Sequence, residues 1–267
     1  MKRNLLFPIT ALLTIVLLTA CGGNTGSTVS TDGSTSMEQV MGALIEGYRE
    51  ETPSVTINYS GTGSGAGIEA VLSGVCDIGL SSRALKESEI EKGALAHLVA
   101  LDGIAVIVNP SNPVAALTSE QLAGIFTGRF TNWAQLGGEN APIAVYGREA
   151  GSGTRDAFEE ILQIRDLAHY TNEYSSTGDI VGNVSANPNG IGYVSLSNVK
   201  DTVRSLPIDG VACSEETIRA GSYAIQRPFL LVTSRHIPLT PQAQAFLDYA
   251  TGDAVAEYIG IAGAVAP

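Results

Sequence analysis

Charge is scarce in this chain, and basic charge scarcer still. Only 16% of its 267 residues are Asp, Glu, Lys or Arg, against roughly 25% in an average domain. Fifteen Lys and Arg face 27 Asp and Glu, for a formal charge of -12. Without a basic stripe the chain is unsuited to wrapping nucleic acid. Histidines and cysteines number three each. His97, His169 and His236 stand apart, and no Cys has a metal ligand at short spacing, which argues against a zinc site. The G-x-S-x-G, H-E-x-x-H and G-x-x-x-x-G-K-[ST] patterns are missing, and no general base with an orienting partner is visible. Nothing calls for catalysis, a cofactor or a metal. With 44% hydrophobic residues, low charge also excludes disorder and a coiled coil. Glycine, by contrast, is plentiful at 30 residues, and what those glycines do becomes the question.

The long apolar run is short and terminal. Lys2 and Arg3 precede an apolar stretch from Leu5 to Leu18, and Leu18-Thr19-Ala20-Cys21 follows. A charged head, a hydrophobic run too short to span a bilayer comfortably, and small residues before a cut form a secretory signal. The tetrad resembles a bacterial lipobox, so residues 1–20 are expected to be a signal peptide and Cys21 a lipidated N-terminus. Residues 21–30 then form the lipidated Cys and a flexible Gly/Ser/Thr tether. Losing Lys2 and Arg3 takes the formal charge from -12 to -14. Cys76 and Cys213 remain; a disulfide is possible in an exported protein, although Cys76 also reads as a buried thiol.

Hydrophobic spacing yields alternating strands and helices. Met37, Val40, Met41, Leu44, Ile45 and Tyr48 mark a helix starting near Ser36. Strands are expected at Ser54–Ser60, Cys76–Leu80, Leu101–Asn109, Ile143–Tyr146, Ile191–Val194, Ala224–Ile225 and Phe229–Thr233. Helices are expected near Ile68–Ser73, from Thr118 with Gln121 closing a capping box, at Asp156–Ile164 and at Pro241–Tyr249. The alternation indicates parallel sheets and an α/β class.

Three Ser/Thr-Gly turns each precede a helix: Gly33-Ser34-Thr35-Ser36, Gly61 to Gly67, and Gly151-Ser152-Gly153-Thr154. A helix N-terminus presents free N–H groups and partial positive charge, and glycine lets an anion approach the backbone. Any one of these turns could equally be an ordinary cap. Arg148, four residues before Ser152, adds a guanidinium able to clamp two oxygens of a tetrahedral anion. Gly61, Gly63 and Ala66 also match a dinucleotide fingerprint, but the following strand ends in Leu80-Ser81-Ser82 with no acidic residue for a ribose.

Together with the lipobox, the segments CDIGLSSR, DGIAVIVNPSNPV, LTSEQLAGIFTGRFTNWAQLGG, GREAGSGTR, NGIGYVSL and GSYAIQRPFLLVT resemble the phosphate-binding proteins of bacterial phosphate ABC transporters. These form the PstS-like group of type II periplasmic binding proteins. The resemblance implies two lobes, each a mostly parallel sheet flanked by helices, joined by two crossing hinge strands and closing on phosphate. It places 31–107 and 228–267 in one lobe and 108–227 in the other, with crossings near Ile107–Asn109 and Arg227–Phe229. By motif position the Thr35 hydroxyl, the Ser36 backbone, Ser64, Ser82, Arg148, Ser152, Gly153 and Thr154 would line the anion. It further implies a monomeric, non-enzymatic receptor outside the cytoplasm, lipid-anchored to the cell membrane and serving an ABC permease.

The sequence departs from that pattern twice. Ser82 stands where the best-known members carry an Asp that accepts the phosphate proton, so another carboxylate is expected to serve, Asp102 first and Asp77 second. Ala150 replaces an Asp often found two residues after the Arg, leaving Glu149 as a guess for the partner that orients Arg148. Other readings stay open: a receptor for sulfate, molybdate or another tetrahedral oxyanion, a surface sensor or adhesin retaining the fold, and, least favoured, a phosphatase.

Overall fold

The structure, a computed structural model, describes residues 27–267; Cys21, the signal segment and the first part of the expected tether lie outside the described residues. The chain runs β1 (Ser27–Gly33), α1 (Glu38–Glu51), β2 (Val55–Gly61), α2 (Ser64–Leu72), β3 (Ile78–Ser81), α3 (Glu87–Glu91) and β4 (Ala94–Val108). It continues through α4 (Ser119–Phe126), β5 (Ala144–Arg148), α5 (Gly153–Ile161), β6 (Asn172–Tyr174), α6 (Thr177–Ala186), β7 (Gly190–Ser195), β8 (Arg204–Leu206) and α7 (Glu215–Arg219). Last come β9 (Gln226–Ser234), α8 (Pro241–Ala250) and α9 (Ala256–Ile261).

Local chemistry accounts for most of these elements. In α1, Val40, Met41, Leu44 and Tyr48 are buried at helical spacing, the apolar stripe of an amphipathic helix. The helix itself begins at Glu38, because Ser34 caps a 3₁₀ turn over Thr35–Met37 first. Helix α4 opens on a reciprocal capping box: Gln121 N–H donates to Thr118 Oγ1 (3.1 Å) and Thr118 N–H to Gln121 Oε1 (2.8 Å). Helix α2 lies directly on β1, and a Cβ at Gly67 would overlap the Asp32 carbonyl and Gly33 Cα. That approach requires glycine.

The strands follow the order β2-β1-β3-β9-β4-β7-β5-β6, with β8 also on β4. Strands β1, β2 and β3 are mutually parallel, as are β7, β5 and β6. Between these two sets run β9 and β4, antiparallel to each other from Ala94↔Ser234 to Gly103↔Gln226. Strand β4 contributes to both cores. Val99, Ala100, Phe229 and Leu231 pack in the first core, with α1 and α8, whereas Ile104 to Val108 pack in the second, with α4, α5 and α6. This is a two-lobed α/β fold of the type II periplasmic-binding-protein kind.

Some sequence expectations shift. Ser27–Ser30, expected in the tether, pair with Val55–Asn58 as the start of β1. On β4 the packing passes from the first core, at Val99 and Ala100, to the second, where Ile104 to Val108 are buried and pair with β7 and β8. The C-terminal tail also bridges: Leu101 and Val265 exchange backbone hydrogen bonds of 2.7 and 2.9 Å, and Val265 belongs to the second core. Ala224 and Ile225 form a bend before β9 instead of a strand. Cys76 and Cys213 are buried free thiols, and desolvation pushes both thiols up, to about 11 and about 12.

Candidate functional site

The parallel strands of each lobe end at the same cleft, so the helices that follow them direct their N-termini into it. Four such starts meet there: the 3₁₀ turn at Thr35, and helices α2, α5 and α6. Their hydroxyls join across the cleft. Ser36 Oγ lies 2.7 Å from Thr154 Oγ1 and 3.1 Å from Thr177 Oγ1, and Thr35 Oγ1 lies 3.1 Å from Thr177 Oγ1. On the first-lobe side Ser34 Oγ donates to Ser82 Oγ (2.7 Å), Ser64 and Ser82 hydroxyls stand 3.3 Å apart, and Ser82 N–H donates to Ser64 Oγ (3.1 Å). All these residues are buried, Ser36, Ser64 and Ser82 completely.

Gly153 is the point of closest approach. A Cβ there would overlap Ser64 Oγ and come within 2.9 Å of Ser82 Oγ, both from the opposite lobe. Nearby, Gly65 N–H donates 3.0 Å to the Gly151 carbonyl. The middle glycine turn therefore contributes a backbone bond across the cleft as well as the start of α2. Ser152 caps α5, accepting from Arg155 N–H at 3.3 Å.

Arg148 closes the cluster from β5 and is 2% exposed. Its Nη1 donates to Thr177 Oγ1 (3.0 Å), Nε to the Tyr174 carbonyl (3.1 Å) and Nη2 to the Ser175 carbonyl (2.6 Å). These neutral acceptors orient the guanidinium; Glu149, the guessed partner, is exposed and bonds through its main chain to Tyr174. Arg148 forms no ion pair among the described residues. Burial, with Arg227 as a second nearby cation, pulls it below the usual arginine value. A buried guanidinium ringed by hydroxyls is chemically suited to a small anion.

Asp102, the carboxylate expected to accept the phosphate proton, is engaged within the protein. It is fully buried on β4, with Oδ2 held by Arg227 Nε and Nη2 at 2.9 Å each and Oδ1 accepting from Ser195 Oγ at 2.7 Å. Burial raises its carboxyl above the ordinary value, against the pull of Arg227 and Ser195. Arg227 stands on its cleft side, Nη1 donating 3.2 Å to the Ser82 carbonyl. Asp77 lies at the other end of β3, bonded to Ser30 N–H and Oγ at 2.8 and 2.7 Å. Among the described residues, no hydroxyl of the cluster bonds a carboxylate.

Thr177 and Ser34 are the members that sequence reasoning missed. Ser176-Thr177-Gly178 before α6 is a fourth Ser/Thr-Gly turn of the same kind as the other three. The cluster thus unites Thr35, Ser36, Ser64, Ser82, Arg148, Gly153 and Thr154, keeps Ser152 at its edge, and leaves out Asp102.

Two lobes on crossing strands, with a buried cation and helix starts facing the cleft, define an anion-accepting binding protein of the periplasmic class. Residues 19–254 match the model of the PBP superfamily domain. The chain is 31% identical to the phosphate-binding protein PstS of Bacillus subtilis, covering 93% of this chain and 89% of that one. A Clostridium perfringens structure described as a phosphate ABC transporter substrate-binding protein with bound phosphate is 39% identical. It superposes with a TM-score of 0.87 over 90% of this chain and all of that one. An ABC-type phosphate transport receptor from Vibrio cholerae is 33% identical, with a TM-score of 0.73 over 90% of this chain. The chain belongs to the PstS family of phosphate-binding proteins.

Proposed function

We propose that the chain captures inorganic phosphate between its lobes and hands it to an ABC permease, without chemistry of its own. The observation that carries this reading is Arg148, buried and without a carboxylate partner among the described residues, at the junction of hydroxyls from both lobes. Of its five N–H donors, three are engaged, leaving one on each Nη for two oxygens of one anion. Thr35, Ser36, Ser64, Ser82, Ser152, Gly153, Thr154 and Thr177 supply neutral donors, so a net-acidic chain can hold an anion by local field alone. Membership in the PstS family supports phosphate as that anion. Lipidation at Cys21 would keep the receptor at the outer face of the cell membrane, beside its permease.

Isothermal titration tests the ligand. One phosphate per chain with little response to sulfate supports the reading, whereas equal affinities would replace phosphate by a general tetrahedral oxyanion. Capture of the permease subunits with the receptor, lost when Cys21→Ser abolishes membrane retention, tests delivery and anchoring.

A further inference from the structure

A charged interlobe contact lies outside the hydroxyl cluster. Asp156 sits in the first turn of α5, two residues beyond Thr154. A carboxylate there opposes any anion at the same helix start. Its ionic partners among the described residues come from the other lobe: Arg83 Nε and Lys86 Nζ each lie 2.9 Å from Asp156 Oδ2. Arg83 directly follows Ser82 and is 5% exposed. Its own lobe orients it, through a two-pronged pair with Glu89 (2.9 and 2.7 Å) and the Ala84 carbonyl (2.8 Å). The Asp156 oxygen meets Arg83 Nε by charge and proximity rather than in hydrogen-bond alignment.

We propose that Asp156, Arg83 and Lys86 form an electrostatic latch coupling phosphate retention to lobe closure, with Asp156 as a positioning residue that does not touch the anion. Closure brings two cations onto a carboxylate that would otherwise repel the ligand, and the same contact pins the lobes together. Separation exposes the carboxylate again and favours release. The inference rests on phosphate binding at the hydroxyl cluster.

Rapid mixing of the full-length protein loaded with radiolabelled inorganic phosphate against unlabelled phosphate reads the release rate, and titration reads affinity. Lys86→Glu, at a half-exposed side chain, should speed release by about 5–30-fold, within the usual range of coupling between sites; Asp156→Asn, which removes the repulsion together with the latch, should speed it less. Association should change by less than about threefold, since encounter takes place with the lobes apart. Raising ionic strength should speed release more in the wild type than in Asp156→Asn, a readout that a packing defect would not reproduce. An unchanged release rate in Lys86→Glu, a loss carried by association, or equal salt response overturns the latch. Failure of the wild type to bind phosphate at all would instead overturn the ligand assignment.

Discussion

Replacing Arg148 by Met separates anion binding from fold stability. The substitution keeps most of the side-chain volume and removes the guanidinium. Two free N–H groups on that fork, each making a charge-assisted bond to an anion oxygen, are worth about 1.5–3 kcal/mol apiece. Losing both costs roughly 3–6 kcal/mol, a weakening of Kd by about 10²–10⁴-fold. The ligand-free protein should respond differently. The Tyr174 and Ser175 carbonyls and the Thr177 hydroxyl lose a donor, at about 1–3 kcal/mol for each group left unsatisfied. Against this, an unpaired buried cation disappears, and exchanging buried charge for apolar volume often stabilises by about 1–4 kcal/mol. The net loss is roughly 2–5 kcal/mol, which at about 2–4 °C per kcal/mol for a domain of this size lowers the ligand-free Tm by roughly 4–20 °C. Differential scanning fluorimetry with and without phosphate tests both halves. At 100 times Kd the wild type gains about 2.7 kcal/mol, and the variant should gain nothing at that concentration. Phosphate binding within threefold of wild type would refute the placement of the anion.

Gly153→Ala should leave Tm nearly unchanged, because the added methyl projects toward Ser64 and Ser82 of the opposite lobe; phosphate affinity by titration should fall at least about tenfold as closure is obstructed. Asp102→Asn strands Arg227 as an unpaired buried charge, at about 3–5 kcal/mol, or roughly 6–20 °C in Tm. Discrimination between phosphate and sulfate should survive in that variant; its collapse with Tm unchanged would identify Asp102 as the proton acceptor. Burial favours the neutral form of Glu89, but Arg83, Lys86 N–H and the neighbouring charges outweigh it and hold its carboxyl below the ordinary 4.5. A depressed carboxyl contributes stability above its unfolded pKa that is lost as pH falls through its folded value. Glu89→Gln should therefore flatten the decline of Tm between pH 5 and pH 3, to about the depth set by the remaining carboxylates; an identical decline would show that Arg83 does not depress it.

Much of the site could be read along the chain because it is built from helix starts, and those are written locally. Ser34 before its 3₁₀ turn, Ser152 before α5 and the Thr118–Gln121 box before α4 all cap where the residue order indicates. Thr177 is equally legible in its Ser-Thr-Gly order, yet no flanking cation singles it out; its counterpart Arg148 lies 29 residues away in sequence. Asp102 went the other way. A carboxylate on the strand leading to the hinge has the right chemistry for a proton acceptor, but its direction depends on Arg227, 125 residues later.

What the sequence by itself determined is the α/β alternation, the turn chemistry at the cleft and the family, all properties of short segments whose periodicity and capping are local. Tertiary structure alone decided three matters: the change of core at Leu101–Gly103 on β4, the commitment of Asp102 to Arg227 and Ser195, and the interlobe charges on Asp156. Each depends on which groups from distant segments desolvate one another. Burial changes the energy of a charge by more than any local preference does, and it becomes defined only when both lobes are folded and facing.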